Sequence, residues 1–179
     1  MELEHKFCRL GDTVALDDGV LIEGYASLFG KCDQGGDVVQ TGAYAASLAK
    51  ISDAGGTVKM LWQHDPAQPI GVWDEVREDA QGLYVKGRIL ADVDKGREAI
   101  ALIDAGAIDG LSIGYRTVKA AKDGKGRRLL SELELWEVSL VTFPMLPDAR
   151  VAAKGDAPEG DQMREMAAAL RKARSLLVG

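Results

Sequence analysis

The chain has 179 residues, 46% of them hydrophobic and 28% charged, which is enough length and apolar content for one domain with a buried core. Its formal net charge of −6 argues against broad binding to nucleic-acid phosphates, and no apolar run reaches the length of about 18 residues that a membrane span needs. The polar, acidic residues 1–5 are not typical of a secretory signal, and Cys8 and Cys32 are interpreted as reduced thiols rather than a disulfide.

Several stretches alternate apolar and polar side chains, which is typical of β-strands with one face toward solvent. In chain order, the predicted strands are residues 2–9, 20–29, 57–63, 71–77, 82–90, 111–118 and 129–143. Turn signals rich in glycine and aspartate separate them, as in a small β-rich domain.

Three other stretches predict helices. Residues 44–50 are alanine-rich, residues 95–105 have apolar side chains at helical spacing, and residues 161–179 are amphipathic with acids early and bases late, as the helix dipole favours. Together these elements predict an α+β fold, a mainly antiparallel, closed or nearly closed β-barrel of about seven strands flanked by helices. We expect one domain over residues 1–150, a polar linker over 151–160 and a C-terminal helix or tail over 161–179.

Ser112 lies between Gly110 and Gly114 in an apolar segment, where small neighbours leave room for a substrate backbone to approach the hydroxyl. The spacing matches the nucleophile elbow of α/β-hydrolases. That elbow follows a strand and opens a helix, whereas Ser112 follows a predicted helix and opens a predicted strand. Those enzymes also place the catalytic histidine after the serine, and this chain has no histidine beyond His64. We therefore reject the α/β-hydrolase interpretation.

A nucleophilic serine needs a base to take its proton and a third group to hold that base. Only two histidines are available. His5 lies in a predicted N-terminal strand, where a histidine is more often structural. His64 ends a predicted strand, because Asp65-Pro66 should force the chain out of it, and this places the ring at a sheet rim. His64 is thus the candidate general base, with a plain turn histidine as the alternative.

The candidate acid comes from the pairing of the two long C-terminal strands. If their turn is centred on residues 123–126, paired residue numbers sum to about 249, which puts Glu137 opposite Ser112. Glu137 lies in a largely apolar row, where a carboxylate is seldom left unpaired. A salt bridge inside the barrel wall is an equally supported interpretation.

Other acids fit the role less well. Glu132 and Glu134 fall on the opposite strand face with Trp136, and we predict that they face solvent. Asp65 adjoins His64 in sequence, which is a poor geometry for orienting its ring.

Metal or cofactor chemistry has little support, because two histidines and two cysteines lack ligand spacing, so we predict neither a metal nor a cofactor. Positive charge is concentrated around one predicted hairpin tip. The residues are Arg116, Lys119, Lys122, Lys125, Arg127 and Arg128. We interpret them as a solvated face, with a docking patch for an acidic protein as the alternative.

Several segments, taken together and in this order, resemble the prohead proteases of tailed phages. They are EGYASLF at 23–29, GDVV at 36–39, GAY at 42–44, MLWQHDP at 60–66, GLSIGY at 110–115 and EVSLVT at 137–142. The resemblance covers roughly residues 20–150. It implies a fold similar to the herpesvirus assemblins, a β-barrel surrounded by helices, and a serine endopeptidase with His64 as general base and Ser112 as nucleophile. Related viral proteases use a histidine as the third residue, which this chain lacks, so Glu137 of the EVSLVT motif is assigned that role.

Members of this family cleave scaffold segments, and often themselves, inside the immature capsid so that the shell can expand and fill with DNA. The resemblance thus implies two candidate partners, a phage scaffold protein or a scaffolding segment of the major capsid protein, together with self-association of the chain. It places the chain in the bacterial host cytoplasm, within the assembling prohead, with no direct contact to nucleic acid or membrane. The alternatives are a non-catalytic capsid-assembly scaffold or chaperone with a protease-like fold and, more weakly, a general esterase.

Overall fold

The structure, a computed structural model, describes residues 4–9, 14–16 and 19–143, with side chains from residue 19 onward. The predicted linker at 151–160 and helix at 161–179 lie outside the described residues. In chain order the elements are β1 (Glu4–Arg9), β2 (Val14–Leu16), β3 (Gly19–Leu28), β4 (Asp37–Val39), α1 (Ala45–Asp53), β5 (Lys59–Trp62), β6 (Asp65–Glu78), β7 (Gly82–Ile89), α2 (Asp94–Asp104), β8 (Gly110–Lys122) and β9 (Arg128–Val141).

All the described strands belong to one sheet. Its order is β1-β8-β9-β5-β6-β7-β3-β2, and the short β4 pairs with β9. The pairing is antiparallel except where β9 meets β4 and β5, which run parallel to it. Curling brings β1 alongside β3. In the described residues the hydrogen-bonded strands form an open path, so the sheet is a curled half-barrel, and strand pairing does not close it into the full barrel that the sequence allows.

The mainly antiparallel sheet and the two described helices agree with the α+β prediction. The structure adds β2 and β4, which are too short to give an alternating pattern of their own. Within the ranges that the structure describes, no helix is long and apolar enough to cross a membrane.

One apolar cluster joins the sheet to both helices. Its largest fully buried side chains are Tyr44, Tyr115, Ile22, Met60, Ile70, Leu83, Ile89, Leu111, Ile113, Leu130 and Leu133. Truncating one such leucine or isoleucine to alanine typically costs about 2–5 kcal/mol. Because β5, β8 and β9 all contribute to this cluster, packing helps to fix their mutual positions.

Helix α1 begins with help from another element. Its own first residues supply no side-chain cap. Instead the Glu78 carboxylate, at the end of β6, accepts hydrogen bonds from the main-chain N–H groups of Gly42 (2.5 Å) and Tyr44 (3.0 Å). A negative charge at this end also interacts favourably with the helix dipole. Farther along the helix, Ser47 Oγ accepts a bond from the N–H of Leu135 at 2.9 Å, which ties α1 to β9.

We expect Glu78→Ala to lower the free energy of unfolding by about 1–2 kcal/mol, because two N–H groups at the helix start lose their acceptor. Urea denaturation measures this change. Glu75→Ala is the matched control, since Glu75 is an exposed glutamate of the same strand that pairs with Arg77. Its effect should stay within about 0.5 kcal/mol. Equal losses in both variants would contradict the capping role.

Candidate active site

His64 lies in a two-residue turn that joins β5 to β6. Trp62 pairs with Asp65, and the intervening Gln63 and His64 both have positive φ angles, 52° and 63°. Hairpins of this kind usually need glycine or asparagine, because other side chains cost about 1–3 kcal/mol each in the left-handed region.

The strand ends just before His64, as predicted, but the cause assigned to Asp65-Pro66 is wrong, since the turn at Gln63-His64 ends it and β6 begins at Asp65 itself. The proline is tolerated because β6 pairs with β7 only from Gly71 onward, which leaves its first residues paired on one side.

The His64 ring is held by Glu137. Its Nδ1 lies 2.6 Å from Glu137 Oε1, and the two side chains are only 12% and 7% exposed. A carboxylate can only accept, so Nδ1 carries the proton and donates it, which leaves Nε2 as the basic nitrogen on the far side of the ring. This is the orientation that a general base needs.

The second oxygen of Glu137 also has a partner. Ser139 Oγ donates to Oε2 at 2.5 Å and accepts a hydrogen bond from the main-chain N–H of His64 at 3.2 Å. Ser139 is fully buried and Glu137 is 5% exposed. The buried carboxylate therefore has a donor on each oxygen, which offsets the cost of removing it from water.

The turn that carries His64 is tied to β9 at further points. Gln63 N–H donates to Leu140 O at 2.9 Å, and Gln63 Nε2 donates to Thr142 Oγ1 at 2.7 Å. From β6, Trp73 Nε1 donates to Val138 O at 3.2 Å. These bonds fix the ring relative to the strand that supplies Glu137.

Ser112 lies in β8 beside this pair. Its register partner is Ser139, and Gly114 is the partner of Glu137. The predicted pairing of Ser112 with Glu137 is thus wrong by two residues. The cause is a turn centred slightly later in the chain, between Lys122 and Arg128, and a bulge that leaves Trp136 outside the pairing.

The bulge also changes which residues face the core. Before it, Leu133 and Leu135 belong to the apolar cluster, whereas after it Val138 and Leu140 do. An extra residue reverses the alternation of side chains, so Glu137 leaves the apolar row in which the sequence pattern places it.

Directly opposite residues of antiparallel strands share a sheet face, with Cβ atoms about 4.5–5.5 Å apart. Ser112 and Ser139 are therefore neighbours, and Glu137 lies two residues along on the same face. Ser112 is fully buried, and its Oγ makes no hydrogen bond with the part of the chain that the structure describes. The three predicted site residues are thus brought together at one place on the sheet.

Gly114 makes room for the carboxylate. A Cβ atom on Gly114 would lie 2.0 Å from Glu137 Oε1 and 2.7 Å from its Cδ. The second glycine of the Gly-Leu-Ser-Ile-Gly motif is therefore required by Glu137, and not only by the approach of a substrate to Ser112. Sequence reasoning missed this role, and it missed Ser139, although both lie inside the quoted motifs.

The other acids considered from the sequence lie outside the site. Asp65 Oδ1 accepts from Ala67 N–H, Glu132 pairs with Lys119, and Glu134 pairs with Lys50 and Arg116. His5, in β1, pairs through its main chain with Gly114 of β8, and its side chain lies outside what the structure describes. Cys32 is an exposed free thiol.

The positively charged hairpin is largely paired within itself and with its neighbours. Besides the pairs of Lys119 and Arg116, Arg127 pairs with Asp123 and Arg128 with Asp37. This favours a solvated face over a docking patch. Within the described ranges, no group of three or more histidine, cysteine or acidic side chains could hold a metal ion.

A buried serine beside a histidine–carboxylate pair has the side-chain composition of a serine hydrolase. Residues 11–165 match the family described as caudovirus prohead serine protease, so the chain belongs to that family. This confirms the resemblance found in the sequence motifs.

Two curated relatives agree with this assignment. The chain is 33% identical over 139 residues to the prohead protease of Enterobacteria phage HK97, an alignment covering 74% of this chain and 59% of that protein. It is 30% identical over 139 residues to the prohead protease of Escherichia phage T5, covering 77% and 64%. The chain therefore spans about three-fifths of the length of these relatives.

A solved structure supports the fold. The bacteriophage T4 capsid assembly protease superposes with a TM-score of 0.66 at 15% identity, covering 78% of this chain and 97% of that one.

We expect Gly114→Ala to displace the Glu137 carboxylate and to destabilise the protein by about 1–3 kcal/mol, because the added methyl group overlaps Oε1. Thermal unfolding should show a midpoint lower by a few degrees. Gly124→Ala is the control, since a Cβ there meets nothing within 4 Å. A Gly114→Ala protein as stable as the control would contradict this account.

Proposed function

We propose that the chain is a serine endopeptidase of phage capsid maturation. It cleaves a scaffold protein or the scaffolding segment of the major capsid protein, and itself, inside the prohead in the host cytoplasm. The proposal rests on family membership and on one observation, the bond between His64 and the buried carboxylate of Glu137 beside Ser112. A fold similar to the herpesvirus assemblins, and self-association, are further parts of the proposal.

In the proposed reaction, Ser112 Oγ attacks the scissile carbonyl carbon while His64 Nε2 takes the hydroxyl proton. Nδ1–H stays bonded to Glu137, whose negative charge stabilises the imidazolium that forms. His64 then gives the proton to the leaving amine, which leaves an acyl-enzyme on Ser112. Water, deprotonated by the same nitrogen, releases the acid product and restores the serine. Main-chain N–H groups would stabilise the negative oxygen of each tetrahedral intermediate.

The hydrogen bonding of the two neighbouring serines supports the same assignment of roles. The hydroxyl of Ser112 has no hydrogen-bond partner among the described residues, so its proton is not committed elsewhere. Ser139, its neighbour across the strands, donates its proton to Glu137 instead. Of the two serines, Ser112 is therefore the better nucleophile.

We expect Ser112→Ala to lower scaffold cleavage by about 10⁴-fold or more, because the acyl-enzyme can no longer form. The chain is co-expressed with its capsid and scaffold proteins, and mass spectrometry identifies the fragments. Ser27→Ala is the matched control, as Ser27 is another buried serine whose hydroxyl has no hydrogen-bond partner in the described chain.

A fluorophosphonate probe applied to the same assemblies should label the wild type and the control but not Ser112→Ala. Absence of both labelling and cleavage in the wild type would instead favour a non-catalytic assembly scaffold or chaperone. Labelling together with turnover of small esters, but not of scaffold, would favour a general esterase.

We expect Glu137→Gln to lower kcat by about 10²–10⁴-fold, less than the loss of Ser112, because the amide keeps the shape of the side chain but not its charge. Cleavage of scaffold by purified assemblies measures it. Glu132→Gln, on the same strand and paired with Lys119 at the surface, should leave the rate unchanged. An undiminished rate in Glu137→Gln would assign the role to another acid.

A further inference from the structure

We propose that Ser139 is a positioning residue, which holds both the Glu137 carboxylate and the main chain of His64 in the arrangement that catalysis needs. This inference rests on the proposed function of the site and extends it to a fourth side chain. Neither the sequence motif nor the usual serine–histidine–acid set assigns it a role.

The hydroxyl of Ser139 forms hydrogen bonds to both of these neighbours. A serine hydroxyl has one proton to donate and can accept on oxygen. The proton goes to Glu137 Oε2 at 2.5 Å, and the oxygen accepts the N–H of His64 at 3.2 Å. Each contact touches a different part of the histidine–carboxylate pair.

The contact to Glu137 restricts how the carboxylate can rotate. Oε1 holds the His64 ring and Oε2 holds Ser139, so both oxygens are fixed at once. Without Ser139 the second oxygen would lose its hydrogen-bond donor, although Glu137 is a buried residue with only 5% of its surface exposed. The carboxylate would then turn or draw in water, and the ring would lose its orientation.

The contact to His64 acts on the backbone. His64 has a φ angle of 63°, a main-chain conformation that residues other than glycine rarely adopt. Its N–H donates to a side chain of β9 rather than to solvent. Ser139 thereby helps hold a strained turn in the one geometry that aims the ring at Glu137.

The position of Ser139 in the sheet suits this role. In β9 it pairs with Leu61 of β5 on one side and with Ser112 of β8 on the other. The strand leading to the histidine and the strand carrying the serine therefore meet at this residue. A single buried hydroxyl between these two strands can position the His64 base without taking part in the chemistry.

We expect Ser139→Ala to lower kcat for scaffold cleavage by about 10–100-fold with KM nearly unchanged, because only the aim of the base is affected. Ser139→Thr, which keeps the hydroxyl, should recover most of the rate. Ser47→Ala is the matched control, since Ser47 is a buried serine that also accepts a main-chain N–H bond, from Leu135, but does not touch Glu137. It should lower stability without lowering kcat.

Proton NMR of the full chain tests the positioning directly. A His64 Nδ1–H bonded to a carboxylate gives a strongly deshielded resonance, which His5→Gln assigns because the chain has only two histidines. The resonance should persist in Ser47→Ala and Ser139→Thr, and weaken or move upfield in Ser139→Ala.

Wild-type kcat and an unmoved resonance in Ser139→Ala would overturn the proposal. An equal loss of kcat in Ser47→Ala would show that the effect is only structural, and fluorophosphonate found on Ser139 would make that residue the nucleophile. If the wild type does not cleave at all, the proposed function fails. The resonance in Ser139→Ala still decides whether Ser139 positions the pair.

Discussion

The buried carboxylate of Glu137 is the constraint on which the rest of the site depends. A carboxylate on a residue that is only 5% exposed must be compensated by hydrogen-bond donors nearby. The His64 ring supplies one hydrogen-bond donor and Ser139 supplies the other. Gly114, which has no side chain, leaves space for the carboxylate. Three segments far apart in sequence are thus specified by the needs of one acid.

The bulge at Trp136 turns the side chain of Glu137 away from the apolar cluster, near the end of a strand that is otherwise largely apolar. Leu133 and Leu135 pack into the core, and an unbroken alternation of side chains would place Glu137 in the core as well. With Trp136 outside the pairing and 39% exposed, Val138 and Leu140 take over the core positions. Glu137 moves to the face that it shares with Ser112, because a single extra residue reverses which side chains of β9 face the core.

The longer strands and the two described helices could be predicted from the sequence, as could the proximity of His64, Ser112 and Glu137, because alternation, turn signals and motif order are local properties. The register could not be, because counting back from a turn assumes regular pairing, and neither the bulge at Trp136 nor the later turn leaves a mark in composition. The same limit hid Ser139, which only the true register brings opposite Ser112. The return of the chain into β6 directly after His64 was missed, because Gln63-His64 is not a usual hairpin turn, whereas Asp65-Pro66 is a usual strand end.

That unusual turn has a physical explanation in the site. Two non-glycine residues with positive φ angles cost about 1–3 kcal/mol each, so the turn persists only if its surroundings stabilise it. The bonds from Gln63 to Leu140 and Thr142, and from His64 to Ser139, all end on β9 or just beyond it. A glycine at position 64 would relieve the strain but would remove the imidazole. The same left-handed conformation brings the His64 ring to the buried carboxylate of Glu137, so the strained turn and the histidine–acid bond occur together.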